Sequence, residues 1–321
     1  MPSVRLASSS DLAADTRYLT LSHCWGGTPS IVLTAATKAR FHEAIPPALL
    51  QAAAAAVFSD AIHITRCLGF RYLWIDAICI AQDDGAEKDS EIAAMHEIYS
   101  NAVLNLSATC AGQGADGMIR ERNGHSVVPY FRTMGPRENT AHGRRSGEMV
   151  FFADKWVAEV QSGPVNTRGW VFQERILAPR ILHFGSSQLY WECGTLEASE
   201  THPTAAENSR MPLISIDLKK SLRKVARGSV WEPARCLELW GKLLSGYTNT
   251  RLTFPGDKLV AMSAIAHTFG DRFGMQPDDY ACGLWKPHLP QACLWMISRQ
   301  ETRPASYRSP TWSWASVDGM V

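Results

Sequence analysis

Apolar residues fall along this chain in two rhythms. Short runs that alternate bulky apolar with small or polar residues, "YLTLS" (18–22), "RYLWID" (71–76) and "AVLNLSA" (102–108), read as strands. Between them lie longer stretches of helical period. "PPALLQAAAAAVFSDAIHITRCLGF" (46–70) has proline near its start and Gly69 near its end, with Ser59-Asp60 as a dividing point, and "QDDGAEKDSEIAAMHEIYSNA" (82–102) is acidic at its start and periodic within. Strand, helix, strand, helix, strand predicts an α/β fold: a mostly parallel sheet flanked by helices, with strands at 18–22, 72–76 and 102–107 in one sheet.

Around residues 110–165 the rhythm breaks into Gly-, Arg- and Asn-rich segments, read as an insertion of loops and short strands that carries the apolar pieces "SVVPYF" and "EMVFFADKW". "RGWVFQERIL" (168–177) resumes the helical period, and "RILHFGSSQLYWEC" (180–193) reads as two strands joined at "GSS". The remainder is mainly helical, with "DLKKSLRKVA", "EPARCLELWGKLLSGY" and "PGDKLVAMSAIAHTFGDRF". The division expected is an α/β unit over 1–195 and a helical region over 196–321 packed on it.

Charge and composition narrow the function classes. With 321 residues, 32 basic and 31 acidic, the chain has a formal net charge of +1, which gives no electrostatic basis for binding nucleic acid. No apolar stretch reaches the length of a membrane span, so a soluble cytoplasmic protein is expected. The eight cysteines stand singly, with neither a disulfide framework nor a metal-ligand spacing, and no metal or resident cofactor is expected. There is no GxGxxG or GxxxxGK[ST] fingerprint. Several of the 11 tryptophans stand beside polar residues, as in "HCWGG" and "RGWVFQE", marking structured and partly polar interior.

Three places carry candidate chemistry. Ser22, His23, Cys24 and Trp25 stand at the end of a strand, where an open α/β sheet commonly places its ligands. Neighbours on an extended chain point to opposite faces, so a Cys24 nucleophile would need its base from elsewhere, for example His183 or His96. Asp76 closes an apolar run, at the end of what reads as a central strand, where a carboxylate must be hydrogen-bonded, paired or functional. On the following helix Met95, Ile98, Tyr99 and Ala102 form one stripe, Glu91 lies near its centre and Glu97 faces water. The third place is Arg168, Trp170, Gln173 and Glu174, suited to clamping an anion or to an interior ion-pair network with Asp76 or Glu91.

"YLTLSHCWGG", "YLWIDAICIAQDD" with "EIAAMHEIYSNAVLNLSAT", and "RGWVFQERILAPRILHF" resemble, in order and separation, the three sequence blocks of the fungal heterokaryon incompatibility (HET) domain family. "RLTFPGDKLVAMSAIA", "YACGLWKP" and "SPTWSWAS" look like segments that often follow that domain. The resemblance implies nonself recognition and a cell-death response, and a distant likeness to TIR domains of flavodoxin-like fold, some of which cleave NAD at its nicotinamide glycosidic bond with a helix-borne glutamate. By that analogy Glu91, Asp76, His23 and Cys24 are the catalytic candidates, and Ser22, Trp25, Arg168, Trp170, Gln173 and Glu174 the substrate-binding ones. NAD enters as substrate, with Trp25 seating the base. Three readings stay open: a signalling protein that hydrolyses NAD or a related nucleotide, a stand-alone enzyme of secondary metabolism acting on a small molecule through Cys24 or His23, and a non-catalytic module for self-association or partner contact.

Overall fold

The computed structural model describes residues 3–27, 31–127, 153–203, 218–219, 221–222, 232–298, 304 and 306–321. Its centre is a six-stranded sheet of β1 (Tyr18–Ser22), β2 (Tyr72–Trp74), β3 (Leu104–Ser107), β4 (Arg180–Phe184), β5 (Leu189–Cys193) and β6 (Glu197–Ser199), in the order β2-β1-β3-β4-β5-β6. The first four strands in that order are parallel, and β5 and β6 extend the sheet antiparallel. The strands expected at 72–76 and 102–107 are there, trimmed at their ends. One expectation changes: β2 lies at the sheet edge, so Asp76 does not end a central strand but opens a helical turn, Asp76–Cys79.

Alternation along the strands gives the sheet two unlike faces. Leu19, Leu21, Leu104, Leu106 and Phe184 join one apolar cluster with Phe41 of α1 (Ala35–Glu43) and Val57, Phe58, Ala61 and Ile64 of α2 (Ala56–Cys67). The other face carries Thr20, Ser22, Asn105, Ser107, His183 and Glu192, each at most 1% exposed. Water does not cover these groups. Tyr99 of α3 (Gly85–Asn101) and Glu174 and Arg175 of α4 (Gly169–Leu177) hydrogen-bond among them.

The helical stretch 46–70 divides earlier than Ser59-Asp60: a turn of helix at Pro47–Leu50 ends before a 3₁₀ turn at Ala53–Ala55, and α2 then runs unbroken through both residues. Asp60 instead accepts from the backbone of Met118 at 2.6 Å and Ile119 at 3.0 Å, tying α2 to the loop after β3. In the region read as an insertion, "SVVPYF" past Val127 and the start of "EMVFFADKW" lie outside the described residues; Ala153–Trp156, its end, is helical. Most of "DLKKSLRKVA" also lies outside them, though Leu218, Lys219, Ser221 and Leu222 are helical.

The C-terminal region packs α5 (Pro233–Thr248) and α6 (Val260–Phe273) around Trp240, Tyr247, Phe269, Trp285 and Trp314. Helix α4 is shared between the two cores: Val171 lies in the sheet cluster, Ile176 in the C-terminal one. Leu177 meets Met95 and Tyr99 of α3 and Ala264 of α6 in a third.

Candidate functional site

The carboxyl ends of β1 and β2 bring the first two sequence blocks together. His23 and Trp25, leaving β1, reach Asp76: His23 Nε2 lies 2.8 Å from Asp76 Oδ1, and the Trp25 indole N–H donates to Oδ2 at 2.8 Å. The Ala77 amide donates to Oδ1 at 2.7 Å. The His23 ring lies parallel to Trp25, with centroids 6.4 Å apart, and edge-on to Phe58 at 5.0 Å. Arg168, at the start of α4, donates to the His23 carbonyl. Burial alone would raise the Asp76 carboxyl; the His23 ring, the Arg168 guanidinium and the Trp25 N–H outweigh it and hold the group below its ordinary 3.8. Its side chain keeps 20% exposure, while His23 keeps 2%, so Asp76 is the member of this pair open to solvent.

Directly behind lies a second carboxylate. Ser22 Oγ donates to Glu174 Oε2 at 2.5 Å, and the Tyr99 hydroxyl donates to the same oxygen at 2.9 Å. Thr20 donates to Asn105 Oδ1 at 3.0 Å, and the Asn105 amide donates to Ser22 Oγ at 2.9 Å, which turns the serine proton toward the glutamate. Burial and the nearby Asp76 charge raise Glu174 against the opposing Ser22, Arg168 and Tyr99. The two carboxyls are thus driven apart, Asp76 toward its ionised form and Glu174 toward its neutral one, a separation typical of functional carboxylate pairs.

This split has a stability signature. A folded-state pKa raised above the ordinary 4.5 means that Glu174 contributes stability in acid and loses it as pH rises through the folded value. Glu174→Gln does not titrate there. The melting temperature of the variant minus that of wild type should therefore become more positive from pH about 4.5 upward; a difference independent of pH would refute the raised Glu174 pKa.

The other residues picked from the sequence are distributed differently. Cys24 is buried in the apolar cluster, burial raises its thiol against the pull of Arg168, and His23 commits Nε2 to Asp76, so no thiolate–imidazole pair forms here. His183 meets Thr109 and Glu192, while His96 Nδ1–H donates to Ala93 O and its ring faces His267, away from Cys24 in both cases by their contacts. Glu91 is half-buried on α3, raised by burial and Glu87 and countered by Lys38; its charge is felt at the Cys79 thiol. Trp170 turns to the C-terminal region, donating to Asp257 Oδ2 at 3.2 Å, and the buried Gln173 approaches Met95 Sδ at 3.9 Å. Thr20, Tyr99 and Asn105 belong to the site and went unnoticed as such in the sequence; the signal for Thr20 and Asn105 was a polar residue at every second strand position, and for Tyr99 its place on the inward stripe of α3.

Further along the same sheet face, Glu192 receives Arg175 at 2.6 Å, Lys219 at 2.6 Å and His183 at 3.3 Å. Burial lowers His183 to about 4, so it is neutral, with Nε2–H toward Glu192 and Nδ1 toward the Thr109 hydroxyl at 3.0 Å. Among the described residues no three His, Cys, Asp or Glu side chains converge to hold a metal, and no helix is long and apolar enough to cross a membrane.

The strand order β2-β1-β3 puts the topological switch point between β1 and β3, and open α/β sheets bind ligands at the carboxyl ends beside such a point. The segment His23–Trp25 leaves β1 at that position. Comparison with known proteins agrees with the sequence blocks. The heterokaryon incompatibility protein (HET) family matches residues 18–174. Heterokaryon incompatibility protein 6, OR allele, of Neurospora crassa is 34% identical over 88 residues, covering 26% of this chain and 13% of that protein. No solved structure matches the chain significantly.

Proposed function

Because residues 18–174 of this chain form a heterokaryon incompatibility (HET) domain, we propose that it acts in fungal nonself recognition, and that the Asp76 cluster is the working site of that domain, hydrolysing the N-glycosidic bond of NAD or a related nucleotide. The observation that carries the proposal is the partly exposed, ionised Asp76 held between His23 and Trp25 at the carboxyl ends of the parallel strands. The chemistry needs little more. When the C1′–N bond of NAD breaks, its electron pair leaves with nicotinamide, which departs neutral, and positive charge develops at the ribose C1′. An ionised carboxylate opposite C1′ stabilises that charge and takes the proton of the water that adds there. Trp25 offers a ring face to the base, and Arg168 a cation for phosphate. The carboxylate role passes in this proposal from Glu91 to Asp76, since Glu91 has Glu87 and Lys38 as its charged neighbours. Glu174 holds Ser22 from behind.

The test is release of nicotinamide from NAD by purified protein. Asp76→Asn should lower the rate by about 10²-fold or more, Glu91→Gln should leave it nearly unchanged, and both variants should melt cooperatively. Inactive wild-type protein, or an active Asp76→Asn, would sink the enzymatic reading. A second reading is favoured by one observation: the Ser22, Asn105, Asp76 and His23 side chains find partners in one another. In that reading the cluster is an interior clasp and the domain a non-catalytic signalling and self-association module. Wild-type inertness toward NAD would favour it.

A further inference from the structure

Arg168 is held from outside the HET domain. The peptide groups on either side of it both bond to one residue of the C-terminal region: Arg251 N–H donates to Thr167 O at 2.7 Å, and Gly169 N–H donates to Arg251 O at 2.7 Å, a single parallel bridge between Arg168 and Arg251. With Leu252 packed over the pairing, Gly169 leaves no room for a side chain. A Cβ on Gly169 would lie 2.5 Å from Leu252 Cδ2 and 2.8 Å from its Cγ. One residue on, Trp170 donates to Asp257.

The loop that supplies these contacts is itself anchored at both ends to one buried tyrosine of α5. Thr250 N–H donates to Tyr247 O at 2.9 Å, and the Tyr247 hydroxyl donates to Lys258 O at 2.8 Å. Lys258 is pinned in turn, its ammonium donating to Val317 O at 2.5 Å and lying 3.7 Å from Asp318 Oδ1. An unbroken series of bonds therefore runs from the C-terminal core through 250–258 to Arg168, and from Arg168 to the His23 carbonyl beside Asp76. Arg168 is the cation that acts on Asp76 and Glu174 together.

We infer that the pairing of Thr167–Trp170 with Arg251–Asp257 is a clamp that sets the guanidinium of Arg168, making Gly169 and Arg251 positioning residues of the site and coupling the C-terminal helical region to it. The inference rests on the reading of the Asp76 cluster as the working site. The clamp is two peptide hydrogen bonds, one indole bond and one close approach, and releasing it frees the start of α4 and with it the Arg168–His23 contact.

Hydrogen exchange read by mass spectrometry on the full chain tests this without a catalytic assay. Gly169→Ala should make the peptides covering 22–27 and 251–257 exchange roughly tenfold faster, and adding Leu252→Ala, which removes the clashing atoms, should return both toward wild type. Faster exchange at 251–257 with 22–27 unchanged would overturn the coupling, as would a double variant that stays as loose as the single one. Should Gly169→Ala fail to accumulate, Trp170→Phe deletes the indole donor and keeps the ring; the same paired loosening is expected, and an unmoved 22–27 overturns the inference. If wild-type protein releases nicotinamide from NAD, Gly169→Ala should lower kcat and Leu252→Ala should rescue it. An inert wild type defeats the functional reading alone, since the exchange measurement does not depend on turnover.

Discussion

Glu192→Ala is expected to destabilise the protein by about 3–5 kcal/mol, close to the whole stability of many domains. Glu192 is fully buried between Arg175, Lys219 and the neutral His183, and alanine leaves the two cations in the interior without its carboxylate. Burial opposes the charge on Glu192, but Arg175, Lys219 and His183 outweigh it and keep the group well below its ordinary range. Urea denaturation at neutral pH measures the loss; a change below about 1 kcal/mol would mean that Arg175 and Lys219 escape to water or find other anions. The same cluster predicts acid sensitivity. His183 titrates at about 4 in the fold against 6.5 ordinarily, so the folded chain binds fewer protons in that interval, and stability present above 6.5 is lost as pH falls toward 4. His183→Gln should flatten this part of the pH–stability curve.

The second large effect is expected in the C-terminal core. Trp240 is 1% exposed and meets Phe269, Tyr280 and Trp285 at ring separations of 5.0, 5.9 and 5.7 Å. Trp240→Ala leaves a cavity that these rings cannot all collapse into, and should cost about 3–5 kcal/mol. Trp240→Phe separates packing from hydrogen bonding. The Trp240 indole donates to Gly283 O at 3.0 Å, but Trp314 donates to the same carbonyl at 2.9 Å, so the acceptor stays satisfied and the phenylalanine variant should lose only about 1–2 kcal/mol. Equal losses in the two variants would show that the hydrogen bond, and not the aromatic packing, dominates.

Much of the α/β frame was legible because its strands are short, β-rich and separated by periodic helices; β1, β3, the β4–β5 hairpin, α3 and α4 stand where the pattern put them. The face of α3 was legible for the same reason, with Met95 and Tyr99 buried and Glu97 exposed. What periodicity could not give was the destination of the polar positions. "LTLS", "LNLS" and "LYWE" alternate like strands with one wet face, and nothing local says that Tyr99, Glu174 and Arg175 will cover that face and bond to it. Glu91 and Glu174 illustrate the limit: each sits on a helix beside the sheet, but a neighbour one turn away or a sheet position 152 residues away in sequence, as for Ser22 and Glu174, decides which carboxyl reaches the strand ends. Asp76 was visible as a carboxylate ending an apolar run. Its partners His23 and Trp25 became visible only when β1 and β2 were paired in register.

That pairing also bears on how the sheet assembles. Parallel strands rich in leucine could slide past one another with little loss of apolar contact, because neighbouring register choices bury similar surface. Between β1 and β3 such a slip is costly. Thr20 stands opposite Asn105 and Ser22 opposite Ser107, and a shift of one residue would turn Asn105 into the leucine layer over α1 and α2 while leaving Thr20 and Ser22 facing leucines. The buried Thr20–Asn105–Ser22 chain therefore acts as an alignment key for β1 and β3, rejecting misregistered sheets that hydrophobicity alone would admit.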